Sequence, residues 1–301
     1  MKFYYFGGTF NENDTLEDTS TLDSHHFDGV MFTYDATQGD MFIRTAKDIK
    51  PNENIKYLIA IRPYTISPQY LYAINQSINE IQKNRLQINI IAGYIKDHES
   101  HIGGIVGDVN DSSSSVERSN YTIKFIESLD EISKNKSKEE QLDVYISTTN
   151  NYVFDTVKKY KNKIILPYSI YKRGFWSDWM KDPSLKIKFE REDVEIMLAM
   201  TPIIRETKEE LEALAQHAMK PVWKKGDVSK VVEDVEYFTH ESFHEFVQML
   251  EEDNINYLLI NAVPRSESTK IVSFIKQYVE SRLDFVSHEA GKETNILGGK
   301  K

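Results

Sequence analysis

The sequence predicts an α/β protein folded as one (β/α)8 TIM barrel, and three observations carry that prediction. Eight apolar or alternating runs of strand length recur along the chain, amphipathic segments or loops separate them, and 301 residues is the size of one such barrel. Parallel strands buried on both faces read as near-continuous apolar runs, and most of these do.

KFYYF at 2–6 and GVMFT at 29–33 open the set, and KYLIAI at 56–61 is the third strand. The third run stops at Arg62, because Pro63 withholds a backbone donor and holds the residue before it extended. Ser67 then offers an N-cap and Pro68 a first helical position, ahead of Leu71, Ile74, Ile78 and Ile81 on one helical face. Arg62 thus falls in a strand-to-helix connection, where α/β folds collect ligand chemistry. LQINIIA at 86–92 is the fourth strand, and a helix over 117–129 presents Tyr121, Ile123, Phe125, Ile126 and Leu129. LDVYIS at 142–147, KIIL at 163–166, VEIMLAMT at 194–201 and NYLLINA at 256–262 complete the strands. Thr207 and Glu210 spell a capping box before Leu211, Leu214 and Ala215, and Ile271, Phe274, Ile275 and Tyr278 form the inward stripe of a last helix over 265–283. One domain over 1–286 is expected, without repeat or linker, and residues 287–301 have little to bury and read as a mobile tail.

Composition narrows the chemistry. A net charge of −10 argues against a broad nucleic-acid surface. No stretch approaches the roughly 20 apolar residues of a membrane span, and the N-terminus lacks the order of a secretory signal, so a cytoplasmic protein is expected. With no cysteine there is no disulfide, thiolate metal site or cysteine nucleophile, and no GxSxG occurs.

The longest irregular stretch, Tyr94 to Val116, contains His98, His101 and the glycines 103, 104 and 107. A loop of that length inside a compact domain is usually functional or disordered. The GGxxG spacing matches neither phosphate fingerprint and sits beside Asp108 and Asp111, which favours a lid with glycine hinges. The histidines are candidates for substrate contact near the barrel mouth. STTNN at 147–151 ends the fifth strand and opens a helix through Val153 and Val157, which is either a plain N-cap or an anion site at the C-terminal face. Tyr171, Trp176 and Trp179 either wall a pocket or pack the rim. His240-Glu241-Ser242-Phe243-His244 spells HExxH, which on a helix would aim two imidazoles at zinc with Glu241 as base. Against that, Thr239 caps a helix whose buried stripe is Phe243, Phe246, Val247 and Leu250, and the metzincin continuation is missing.

Several stretches, taken in order, resemble the flavin-dependent bacterial luciferase-like monooxygenases, in particular the alkanesulfonate monooxygenase branch. IAIRPYTISPQYLYAINQSINEI runs into NRLQINIIAGY as that family's third strand, Ser-Pro helix start and Asn-containing fourth strand do. FDGVMFTYD, ERSNYTIKFIESL, PIIRETKEELEALA and INYLLINAVPRSES match its second strand, post-loop helix, seventh-strand exit and eighth strand, over about residues 2–283. The resemblance implies reduced flavin mononucleotide (FMN) from a partner flavin reductase, which forms a flavin peroxide with oxygen and oxidises a small organic substrate.

Carried over by position, Asn89 matches a flavin-contacting asparagine, and Thr33 joins it beside the ring. Arg118 matches the arginine of an Arg-Tyr pair, with Tyr121 standing in for the tyrosine. Ser147, Thr148 and Thr149 match the loop that receives the phosphate. Arg62, His98 and His101 are left for the substrate. Ala199 and Thr201 stand where the branch carries Arg-x-His, and Gln38, Ala92 and Ala262-Val263 replace its cysteine, threonine and Gly-Tyr. A flavin-binding homologue without oxygenase activity is therefore the main alternative, a zinc hydrolase at 240–244 a further one, and a deazaflavin can replace FMN. A homo-oligomer is compatible with the resemblance.

Overall fold

The computed structural model describes residues 1–8, 19–33, 40–91, 115–148, 153, 156–157, 159–160, 163–168, 195–218, 235–262 and 267–297. The strands are β1 (Lys2–Gly8), β2 (Gly29–Thr33), β3 (Lys56–Ile61), β4 (Leu86–Ile91), β5 (Asp143–Ser147), β6 (Lys163–Pro167), β7 (Ile196–Arg205), β8 (Val235–Thr239) and β9 (Tyr257–Ile260). The helices are α1 (Thr19–Ser24), α2 (Met41–Asp48), α3 (Pro68–Ile81), α4 (Ser115–Ser133), α5 (Lys208–Ala218), α6 (His240–Glu252) and α7 (Ser268–Leu297). Val153, Thr156, Val157 and Lys159 are helical between β5 and β6, with both valines buried.

All strand pairs among the described residues are parallel. β1 to β7 and then β9 form a closed ring, because β7 pairs with β6 on one side and β9 on the other, and β9 pairs with β1. The eight expected strands are therefore the eight staves of a (β/α)8 barrel. The sequence reading missed β8. The strand expected to end at Thr201 continues to Arg205, and its second half leaves the ring to pair with β8, from Thr201↔Val235 to Arg205↔Thr239. VEYFT is short and runs directly into the HExxH helix, so no turn residue separates the two elements.

Local chemistry explains the helix starts. Ser67 accepts from the Tyr70 amide at 3.2 Å with Pro68 at the first turn. Leu71, Tyr72, Asn75 and Ile78 are buried on α3, whereas Ile81, expected on the same stripe, is half exposed at the helix's last residue. Thr207 Oγ1 accepts from the Glu210 amide at 3.2 Å, while the Glu210 carboxylate reaches the Glu206 amide rather than that of Thr207. The last helix runs past 283 and the 287 boundary to Leu297, through Glu289, Ala290, Lys292 and Glu293, which are strong helix formers.

Alternation along the strands sorts the core into two shells. Phe3, Tyr5, Val30, Tyr57, Ile59, Ile88, Ile90, Ile164 and Leu258 face the helices. Tyr4, Met31, Leu58, Ala60, Tyr145, Ile165, Met197, Tyr257 and Leu259 fill the lumen, with Phe6, Ile91 and Ala199 packed against them.

The N-terminal half of the lumen is polar at its edges and tightly tied. The rings of Tyr4, Tyr145 and Tyr257 lie 6.1–6.4 Å apart pairwise, and burial holds all three phenols protonated. Tyr4 donates to Gln87 at 2.8 Å and Gln87 to Asp143 at 2.5 Å. Lys163 lies 3.1 Å from both Asp143 and Glu195 and over the rings of Tyr145 and Tyr257. Gly29 is required beside this cluster, since a Cβ there would lie 2.6 Å from Tyr4 Cδ1, and the ring is held by its neighbours. Gly29→Ala is therefore expected to cost about 1.5 kcal/mol, read from urea midpoints; an unchanged midpoint would show that Tyr4 can move.

Candidate active site

The C-terminal mouth of the barrel gathers the small polar residues. β2, β3, β4 and β5 lie side by side, and the register aligns Thr33 with Ala60, Ala60 with Asn89, and Ile91 with Ser147. Thr33, Asn89 and Ser147 keep the inward parity of Met31, Ala60 and Tyr145, so all three belong to the lumen side above the apolar middle layer.

Among the described residues Asn89 is the most buried polar side chain at this end, 1% exposed. Its Oδ1 accepts from Ser147 Oγ at 2.9 Å, and its Nδ2 meets Met31 Sδ at 3.6 Å. Among the described residues the amide N–H group thus meets a sulfur and no oxygen. A thioether is a weak acceptor, so the site keeps donor capacity for a better one. Ser147 spends its hydroxyl proton on Asn89, and the buried Thr148 follows it out of the strand. Beyond Thr148, Val153, Thr156 and Val157 are helical.

Arg62 is buried, 5% exposed, immediately after β3. Its carbonyl accepts from the amide and hydroxyl of Thr65 at 3.0 and 2.8 Å, which ties the Pro63-Tyr64 turn and holds the arginine at the mouth. Arg118 lies in the first turn of α4, half-buried, and its carbonyl accepts from Thr122 Oγ1 at 2.9 Å. Tyr121 is half-buried one turn further on. The helix that follows β4 starts at the C-terminal face, so Arg118 shares this end of the barrel with Asn89.

His98, His101, Thr149, the glycines 103, 104 and 107, and Tyr171, Trp176 and Trp179 lie outside the described residues. Ala199 and Thr201, in place of the Arg-x-His pair, are small lumen-side residues of β7. Met31, Ala60 and Ile91 line the site without having been singled out from the sequence. Counting every second residue back from each strand's C-terminal end would have found them.

The HExxH helix is arranged for packing. Thr239 and Ser242 cap it reciprocally, at 3.1 Å to the Ser242 amide and 2.9 Å to the Thr239 amide. The His240 ring lies 4.5 Å from the Phe274 ring, and the His244 ring 4.5 Å from that of Tyr278. Burial, then Arg282 and His240, push the His244 pKa down. Among the described residues no group of three or more Asp, Glu or His comes together as a metal site, and no helix is long and apolar enough to cross a membrane.

No family model matches the chain. Solved structures do. The monooxygenase RslO1 from Streptomyces bottropensis superposes with a TM-score of 0.68 at 12% identity, over 94% of this chain and 100% of that one. Riboflavin lyase RcaE, solved with a modified FMN and riboflavin, gives 0.69 at 10% identity over 93% and 91%. An F420-dependent secondary alcohol dehydrogenase, solved with an F420-acetone adduct, gives 0.60 at 12% identity over 92% and 97%. At these identities the likeness establishes the shared barrel fold.

Proposed function

We propose that this chain is a flavin-dependent oxidoreductase, a luciferase-like monooxygenase that takes reduced FMN from a flavin reductase and oxidises a small organic substrate with O2. The observation that carries the reading is the buried pair Asn89–Ser147 at the mouth, with an amide donor left facing a sulfur. Its support is the fold shared with structures solved around FMN and F420, and the sequence resemblance to the same class of enzyme.

The donor set suits a flavin. Isoalloxazine presents carbonyl oxygens and ring nitrogens along one edge and broad apolar faces, and this mouth has an amide, two hydroxyls and an apolar floor. Asn89 donates to the ring edge and Ser147 holds the Asn89 amide in that orientation. Thr33 borders the ring from β2. Thr148 and Thr149 hold the phosphate, and Arg118, with Tyr121 one turn on, adds a positive charge on that side. Ser147 therefore serves the ring side, unlike its two neighbours. Once bound, reduced flavin supplies the two electrons that activate oxygen. Arg62, His98 and His101 are left to contact the substrate, and the apolar layer of Met31, Ala60 and Leu259 keeps water from beneath the ring.

Phosphate recognition is separable from ring recognition by comparing FMN with riboflavin. In a Thr148→Val, Thr149→Val double variant, FMN affinity is expected to fall about tenfold while riboflavin affinity is kept. Equal losses for both ligands would remove the phosphate assignment.

A second reading is favoured by Ala199 and Thr201 on β7: a flavin or deazaflavin protein with the cradle but without oxygenase chemistry. Oxygen uptake by the protein loaded with reduced FMN separates the two. Uptake no faster than that of free reduced flavin, with no delay in reoxidation, selects the second.

A further inference from the structure

We infer that Met31 is a site of reversible oxidation by hydroperoxides, and that its sulfoxide closes the mouth to the cofactor; the closing step rests on the flavin reading above. Met31 points into the lumen two residues below Thr33, is 7% exposed, and places Sδ 3.6 Å from Asn89 Nδ2. The chain has no cysteine, so thioethers are its softest nucleophiles. Among the described lumen residues that border Asn89 and Ser147, Met31 is the one with an oxidisable sulfur in contact with the amide.

Hydrogen peroxide is the oxidant class this mouth would meet, since reduced flavin that reacts with oxygen without transferring an atom releases it. The sulfur lone pair attacks one peroxide oxygen, an S–O bond forms and the O–O bond breaks. The transferred oxygen loses its proton to the departing hydroxide, which leaves as water. Sulfur is oxidised by two electrons and the peroxide reduced by two. The product turns an apolar, flexible side chain into a polar one with a strong acceptor oxygen. That oxygen forms within reach of Asn89 Nδ2, takes one of its two N–H donors and puts a polar, bulkier group where the flavin ring edge would approach the amide. A methionine sulfoxide reductase reverses the change. A methionine that merely fills a core gap would stay reduced as long as its buried neighbours do.

The test uses the full chain, treated with hydrogen peroxide, digested and read by peptide mass. Met249, 40% exposed, marks a freely reactive thioether, and Met41, Met197 and Met200, at 2% or less, mark protected ones. Met31 is expected to oxidise about tenfold faster than those three. FMN affinity of the treated protein is expected to fall about tenfold, to return after sulfoxide reductase treatment, and to be insensitive to peroxide in Met31→Leu. Oxidation of Met31 no faster than that of Met197 overturns the inference. Oxidised Met31 with unchanged FMN affinity overturns the closing step. If untreated protein binds no flavin, the flavin reading fails and the closing step with it, while the peptide masses still decide the oxidation site.

Discussion

Asn89→Leu is expected to lower FMN affinity about a hundredfold while the barrel stays folded, because the substitution keeps the branched side-chain shape and removes two hydrogen bonds at once. One is the proposed donor to the ring edge. The other is the acceptor for Ser147 Oγ, whose 2.9 Å bond fixes the amide. Asn89 sits between Ile88 and Ile90, both fully buried on the opposite face, so the strand itself has no need of the amide. Fluorescence titration of FMN against variant and parent checks the affinity, and circular dichroism melting checks the fold. Parent-like affinity in a folded variant would take Asn89 out of the site.

Lys163→Met is expected to cost about 1.5 kcal/mol of stability, between a surface and a buried pair, because Lys163 is 20% exposed while Asp143 and Glu195 are 36% and 41% exposed and remain screened by solvent. The change leaves both carboxylates without their shared cation and removes the ammonium from above Tyr145 and Tyr257. The pH dependence has a definite sign. Burial pushes the Glu195 carboxyl up, but its bond from Tyr257 and the attraction of Lys163 outweigh this, so its folded pKa is lowered. Its contribution is therefore fully present above the ordinary carboxylate pKa and is lost as pH falls through the lowered value. Parent and variant should differ most in urea midpoint near neutrality and converge in acid. A gap that widens on acidification would contradict the role given to Glu195.

The barrel was legible because its evidence is local and repeated. Each stave is a short apolar run with its own terminator, as Pro63 is for β3, and the ring needs only the count and the parallel order. β8 was illegible for the converse reason: VEYFT has no terminator before the helix, and what makes it a strand is the extension of β7 beyond the ring, a property of distant residues. The site divides the same way. Thr148 could be read as a strand-end cap, and Arg62 as a connection residue, from neighbours alone. The Asn89–Ser147 bond joins residues 58 apart, and the contact of Asn89 with Met31 spans another 58; both depend on strand register, which no local pattern records. HExxH errs in the opposite direction. Its spacing is that of a zinc site, but α7 packs the rings of Phe274 and Tyr278 against the two imidazoles at tilted angles.

The most direct test of the account is an anaerobic titration of the purified chain with oxidised FMN, photoreduced FMN and a deazaflavin, followed by absorbance and fluorescence, with Asn89→Leu alongside. Saturable binding is expected, tighter for reduced than for oxidised FMN and about a hundredfold weaker in the variant. Binding of none of the three, by a chain whose melting curve shows it folded, would contradict it.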